Sequence, residues 1–449
     1  MFLLQFTNLR SHFLMNEQLP IDPADICMSE KELSPCWHQI AIEVPTRQAK
    51  RFYKKLKKSG QDSSIESTTR LLTNFCIEHA LERFELKPIW GPVQPRYSTA
   101  PVYKPNQSFL LTINVDDSPE VDWPAFDTLE IIRPIKAMTE EMIDGEMHEQ
   151  QLDAGERTPI QNDIKTGDEV TCKVTLSEAG SEKVLFEQTS TTMRVPKHSG
   201  VAKIFNIEID NFAESIIGCS IGDVFTLKTT IPEDYFDPTL SGTEVNISVE
   251  IQSASRITPA TVEQVVKQYG SPSEAILRRQ IKMALESKMT RNQGAILAKQ
   301  IFDFLSEKVD VPIPEWVYEN YQKGILNHIN TGMKQHGCSD DAITKRVEDN
   351  ADKITVLSQK QAKRHALGTL LCREFDIKTT EDELIGEIGE MAAEQGRRPE
   401  DLRKEIMASG RIQHVAMSAM EKKAVKKVLE LATVTEMDAE EWVEQKTKV

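Results

Sequence analysis

The chain has 449 residues, of which 39% are apolar, 28% charged and only 6% aromatic, with a formal net charge of −16. That balance allows a sizeable core shared among about two to four domains and excludes a chain disordered throughout. A globally acidic protein has no general attraction for nucleic acid or an anionic bilayer, so neither DNA nor a membrane is expected as a partner, and contact with RNA would need a local basic patch.

The seven cysteines are odd in number and none stands in a C-x-x-C pair, which argues against a disulfide framework or zinc module and for a reducing, cytoplasmic setting. No run of about 18 apolar residues occurs, as a membrane-spanning helix would require. The apolar start at Met1–Leu4 has no basic residues before it and no small-residue cleavage site after it, so it is a poor signal peptide. Met15 is an alternative start that would leave the first fourteen residues as an extension, and residues 1–35 as a whole carry little periodicity and are expected to be a loose leader.

Alternation over 38–44 predicts a half-buried strand, Pro45-Thr46 opens a helix to about Leu56, and Leu71, Leu72, Phe75, Ala80 and Leu81 mark a second helix. Residues 109–115 predict a strand returning to the first, so 36–125 form an α+β module. A connector over 126–160 holds a short strand at 129–132 and an acidic helix over 139–152, ended by Pro159. Residues 161–255 are β-rich, with short alternating runs at 170–176, 184–186, 224–229 and 245–251 separated by Gly-containing turns, and one short helix at 212–217. From Pro259 the period becomes helical and stays so, making 256–449 an all-α region. A long helix begins at Glu315 and is closed by Gly337, and others cover about 340–375, 381–395, 399–408 and 411–432. The fold class expected is multidomain α+β.

Three stretches stand out: Gly218–Phe225, followed by Ile231-Pro-Glu-Asp-Tyr-Phe236 and Leu240–Thr243; Ile313-Pro-Glu-Trp-Val-Tyr318; and Arg411–Glu436, ending Ala432-Thr-Val-Thr-Glu436. In this order they resemble trigger factor, a ribosome-associated chaperone family: the first is similar to the end of its isomerase domain, the second to the opening of its helical arm and the third to its last helix. The resemblance spans about 36–440 and rests on the order and spacing of the motifs. It implies a ribosome-binding front module, an FKBP-like prolyl isomerase domain over 161–255 and a helical substrate cradle with arms over 256–449.

Each part carries a specific expectation. The family's Gly-Phe-Arg docking loop is replaced by Lys57-Lys-Ser-Gly-Gln-Asp-Ser-Ser64, but Arg47, Lys50, Arg51, Lys54, Lys55, Lys57 and Lys58 form a basic run without an acid between Val44 and Gln61. Arg51, Lys54, Lys55, Lys57 and Lys58 are the candidates for meeting ribosomal RNA phosphates; the alternative is an ordinary solvated helix face. Rotation about X–Pro needs no acid, base or metal; it needs a dry pocket that favours the twisted amide over the planar one, against a barrier of about 20 kcal/mol. Phe186, Ile209, Phe212, Phe225 and Tyr235 are the candidate catalytic lining, while Val174 and Ile247 stand where the family has Phe. The same aromatics would equally serve as core.

In the helical region, Met391, Met407, Met417 and Met420 are candidate client contacts, because a flexible, polarizable side chain suits apolar segments of varied sequence; ordinary helix packing is the competing account. No P-loop and no H-E-x-x-H occurs, so neither ATP-driven work nor a metal or other cofactor is expected. His336-Gly337-Cys338 is the nearest approach to a metal spacing, and helix-end surface residues account for it. The function expected is an ATP-independent chaperone for unfolded or nascent polypeptides, with the ribosome as a second partner and dimerisation left open. The alternatives are a prolyl isomerase with a substrate-recruiting tail, or a non-catalytic adaptor.

Overall fold

The computed structural model describes residues 21–60, 62–90, 101–180, 184–196, 201–209, 211–232, 235, 237, 239–335 and 338–447. The start of the expected leader, Gln61 of the basic loop, Phe236 of the Ile-Pro motif and the His336-Gly337 pair lie outside them.

The front segment holds β1 (Cys27–Ser34), β2 (Trp37–Val44), α1 (Thr46–Lys58), α2 (Ile65–Arg83) and β3 (Phe109–Asp116), with the sheet in the order β1-β2-β3, all antiparallel. Ile40 opposes Ile113 and Val44 opposes Phe109, so the alternation of both strands feeds one core with Phe52, Leu56, Leu72 and Phe75 from the helices. Ser64 caps α2 by accepting from Ser67 N. The expectation of a loose leader over 1–35 does not hold for the part that is described, from residue 21 on. Cys27–Ser34 is a strand, and Ile21 and Ile26 are buried. The side chains of β1 are nearly all exposed, so it is held by backbone pairing to β2 rather than by burial.

β4 (Glu130–Ile135) and α3 (Glu140–Asp153) follow. Pro159 does not end the helix. α3 stops at Asp153, Gly155 makes a close approach to the Thr258 carbonyl, and Pro159 lies inside β5 (Glu156–Ile160), which among the described residues pairs only with the end of β11 (Glu244–Thr258). A strand edge is where Pro, lacking an N–H, is tolerated. The β-rich body comprises β6 (Glu169–Glu178), β7 (Val184–Arg194), β8 (Ala202–Ile204), β9 (Ile207–Ile209), α4 (Phe212–Ile216), β10 (Val224–Thr230) and β11, with the main path β10-β11-β6-β7.

The rest is helical: α5 (Val262–Gln268), α6 (Glu274–Lys308), α7 (Glu315–Gln335), α8 (Asp340–Asp349), α9 (Ala351–Glu374), α10 (Glu381–Glu394), α11 (Pro399–Ala408), α12 (Ile412–Leu431) and α13 (Ala439–Thr447), with β12 (Thr433–Asp438) between the last two. The helix expected over 340–375 is two, broken at Asn350, whose side-chain amide donates to the Arg346 carbonyl. Among the described residues, no helix is long and apolar enough to cross a membrane.

Two compact units result, each discontinuous in sequence. One joins 1–133, 294–318 and 361–436; the other joins 134–293, 319–360 and 437–449. In the first, Ile89, Leu129 and Ile131 pack with Ile301, Phe302, Leu305, Leu371 and Val428. Arg364 lies 3.4 Å from the Phe302 ring centroid and binds Glu421 through two hydrogen bonds of 2.9 and 3.1 Å. In the second, the β-rich core also receives Ile325, Ile329, Met333, Ile343 and Ile354 from α7, α8 and α9.

Candidate functional site

Within the first unit, α2, α10, α11 and α12 enclose an open groove of about 580 Å³. Leu71, Leu384, Ile385, Ile388, Met407 and Ile412 supply its apolar lining, and Arg70, Glu381 and Arg403 its charged rim. Ile385 is 46% and Met407 57% exposed. Exposed apolar side chains in a concave, polar-rimmed setting mark an interaction site rather than leftover core.

The elements that hold this lining are braced by ion pairs behind it. Thr380 and Glu383 form a capping box at the start of α10, and Lys423 of α12 reaches both Glu383 oxygens (2.8 and 3.1 Å) and the Lys378 carbonyl (2.7 Å). Glu387, almost fully buried, accepts from Ser418 Oγ (2.9 Å) and Lys422 Nζ (2.7 Å). Lys423 and the Thr380 backbone hold the Glu383 carboxyl below the usual range. Ile388, Ala392, Leu402, Ile406 and Val415 form a small core under the groove. The groove wall is therefore fixed from behind while its apolar front stays open.

Of the four methionines singled out in the sequence, Met407 lines the groove. Met391 is half-buried against the small core, Met417 is buried, and Met420 packs on the larger core around Phe302. Helical spacing alone does not say which side of a helix meets solvent. Ile385 and Leu384 carry as much of the groove as Met407, and they escape a reading of the sequence because isoleucine and leucine at helical spacing look like core.

On α1, residues 47, 50, 51, 54 and 58 fall on one face, opposite Ala49, Phe52 and Leu56 in the core. Arg51, Lys54, Lys55 and Lys58 border one open trough with Arg47 and Lys50, and Lys57 is exposed beside it. Three basic residues in the last turn also suit the negative end of the helix dipole.

In the β-rich body, Phe186, Ile209, Phe212 and Tyr235 are all buried and Phe225 half-buried, in a common cluster. The rings of Phe212 and Phe225 are 6.0 Å apart, and Phe186 lies 6.1 Å from Phe205. Val174 and Ile247 are buried on the same sheet face. Burial, and then the carboxylate of Asp237, push the Tyr235 phenol up; Arg346 of α8 opposes them. Among the described residues, no group of three or more His, Cys, Asp or Glu is placed to hold a metal ion.

The profile of the bacterial trigger factor C-terminus matches residues 274–430. The trigger factor of Desulfosudis oleivorans is 25% identical over 405 residues, covering 88% of this chain and 86% of that one. That of Chromohalobacter salexigens is 23% identical over 343 residues (74% and 71%), and that of Geotalea daltonii 21% over 398 (86% and 87%). A solved structure of the trigger factor chaperone aligns at 14% identity over 90% of this chain and 99% of that one, with a TM-score of 0.33, too low to bear on the arrangement. The C-terminal third is thus similar to the trigger factor C-terminus, and the chain as a whole is similar to bacterial trigger factors at 21–25% identity over most of its length.

Proposed function

We propose that this protein is an ATP-independent chaperone that holds nascent or unfolded polypeptides in the groove between α2 and α10–α12. The observation that carries this reading is the pairing of exposed Ile385 and Met407 with a braced, charge-rimmed wall. A client segment would bury its own apolar side chains there without a required sequence, while Arg70, Glu381 and Arg403 keep the free groove solvated. The front module over 36–125, the β-rich domain over 161–255 and the helical domain over 256–449 divide the labour as ribosome contact, prolyl isomerase site and client cradle, in the cytoplasm.

The test is aggregation suppression. The double variant Ile385→Asp/Met407→Glu removes apolar surface at exposed positions and leaves the bracing pairs in place. It is expected to lose at least five-fold in its ability to keep a refolding client soluble, with an unchanged unfolding midpoint. Full suppression by this variant would place client binding elsewhere.

Ribosome contact is assigned to the basic face of α1, supported by the seven positive charges and no acid along that helix, on a chain of net charge −16. Co-sedimentation with ribosomes is expected at low salt and should weaken steeply as salt rises. Reversing Lys54, Lys55, Lys57 and Lys58 to Glu is expected to reduce it at least ten-fold. Binding untouched by that reversal would exclude the face.

A further inference from the structure

A chaperone's arm should offer its apolar stripe to clients, yet in the second unit one stripe is spent internally. Ile325, Ile329 and Met333 recur every four residues along α7, so they share one face. None is more than 4% exposed, and with Ile343 of α8 and Ile354 of α9 they lie in the same core as Phe186, Ile209, Phe212 and Tyr235. The residues expected to grip a prolyl ring are thus already packed in a core to which the chain's own helical hairpin contributes.

Polar contacts fix where the hairpin sits. Lys353 Nζ donates to the carbonyls of Thr239 (2.6 Å) and Ser241 (3.4 Å), in the loop that follows Tyr235. Asp237 of that loop is fully buried, its Oδ1 accepting from the Thr239 N–H (3.0 Å) and hydroxyl (2.5 Å). Cys338 Sγ, at the hairpin turn, lies 3.9 Å from the Leu185 carbonyl oxygen, next to Phe186. Arg346, only 8% exposed, is close enough to Tyr235 to act on its phenol. Hairpin groups therefore meet the β-rich domain at Leu185, beside Phe186, and at Thr239 and Ser241, in the loop that follows Tyr235, so two of the four aromatic candidates for the proline site adjoin these contacts.

We infer that the helical hairpin over 319–360 is an autoinhibitory plug: it occupies the mouth of the proline site of the β-rich domain, and its displacement opens that site to X–Pro segments. The inference rests on the isomerase part of the proposed function. Rotation of the amide makes and breaks no covalent bond, so access is all the plug controls. A substrate proline must enter a dry apolar pocket, and lining residues packed in one core with the hairpin's isoleucines and methionine are closed to it. The exchange is of like for like, because a client's apolar segment can cover the α7 stripe as the β-rich domain does.

The experiment uses the full chain and a short chromogenic peptide with one X–Pro bond. Wild type is expected to rotate it no faster than about twice the uncatalysed rate. Ile329→Asp/Met333→Glu is expected to raise the rate at least ten-fold, while hydrogen exchange shows α7 and α8 amides losing protection and those of β6 and β11 keeping it. A hairpin released by this measure with no change in an already fast wild-type rate overturns the plug and leaves the isomerase reading standing. A released hairpin over an intact sheet, with no rotation in either protein, removes the isomerase reading and the plug with it. Should the double variant lose sheet protection, Lys353→Ala leaves the α7 isoleucines and methionine in place and removes only the hydrogen bonds to Thr239 and Ser241. It is expected to raise the rate two- to five-fold, and an unchanged rate with a loosened hairpin counts against the plug.

Discussion

Gly155→Ala is expected to destabilise the second unit by about 3 kcal/mol, a large overpacking effect for one methyl group. A Cβ at this position would lie 2.5 Å from the Thr258 carbonyl oxygen, 2.7 Å from Ile257 Cγ2 and 3.2 Å from the Leu152 carbonyl oxygen. Two of these are backbone atoms, so no side-chain rotation relieves the contact. Gly155 sits where α3 ends and β5 begins, and Glu156 pairs with Thr258 at the end of β11. Making room means parting β5 from β11 and loosening the hold of Arg194 on Glu149 and Asp153 of α3. Urea unfolding should show the lower midpoint. A loss below about 0.5 kcal/mol would mean that the close approach of α3 to β11 is not a feature of the folded protein.

The second large effect concerns Asp116, fully buried at the end of β3. Its Oδ2 accepts from the N–H groups of Ile89 and Trp90 (2.5 and 3.1 Å), which anchors the chain that follows α2 to the end of β3. Burial pushes its carboxyl up to about 6, despite these hydrogen bonds and nearby Arg373, which all act in the opposite direction. An acid whose folded value is raised contributes stability that is present in full below its unfolded value near 4 and is lost as pH rises through about 6. With the carboxyl raised this far, the loss between pH 4 and 7 is on the order of 3 kcal/mol.

Asp116→Asn keeps an acceptor for both N–H groups and cannot ionise. The difference in unfolding free energy between wild type and variant should therefore change by about 2–3 kcal/mol across pH 4 to 7, with the variant gaining relative stability as pH rises. Taking that difference cancels the titration of the many other carboxylates. A difference flat with pH would show that Asp116 stays charged and well solvated.

Much of this was legible in the chain itself. Alternation in β2, β3, β6 and β11 reports one buried face, and the period change after Pro259 reports helices, because burial on one side writes itself into residue order. β1 was not legible. Its Cys-Met-Ser-Glu-Lys-Glu-Leu-Ser run buries almost nothing, so only its partner strand makes it a strand. Pro159 misled for a related reason, since whether a strand lies at an edge is a tertiary fact.

The candidate groove was half legible. The Met-rich helical region suggested an apolar surface, but only packing separates Met407, open in the groove, from Met417, closed in the core. The α7 stripe was visible in sequence as a helical face, yet nothing local tells a face reserved for clients from one covered by a β-rich domain.

The central claim, that the groove holds clients, is tested most directly by placing a photocrosslinking side chain at Met407 and, separately, at Val224. Both are exposed apolar positions, at 57% and 61%, but only Met407 lines the concavity. With an unfolded client present, strong crosslinks from position 407 and weak ones from 224 are expected, and they should fade when the client is allowed to fold. Equal crosslinking from both positions would mean that clients adhere to any greasy surface, and the groove would have no special part in holding them.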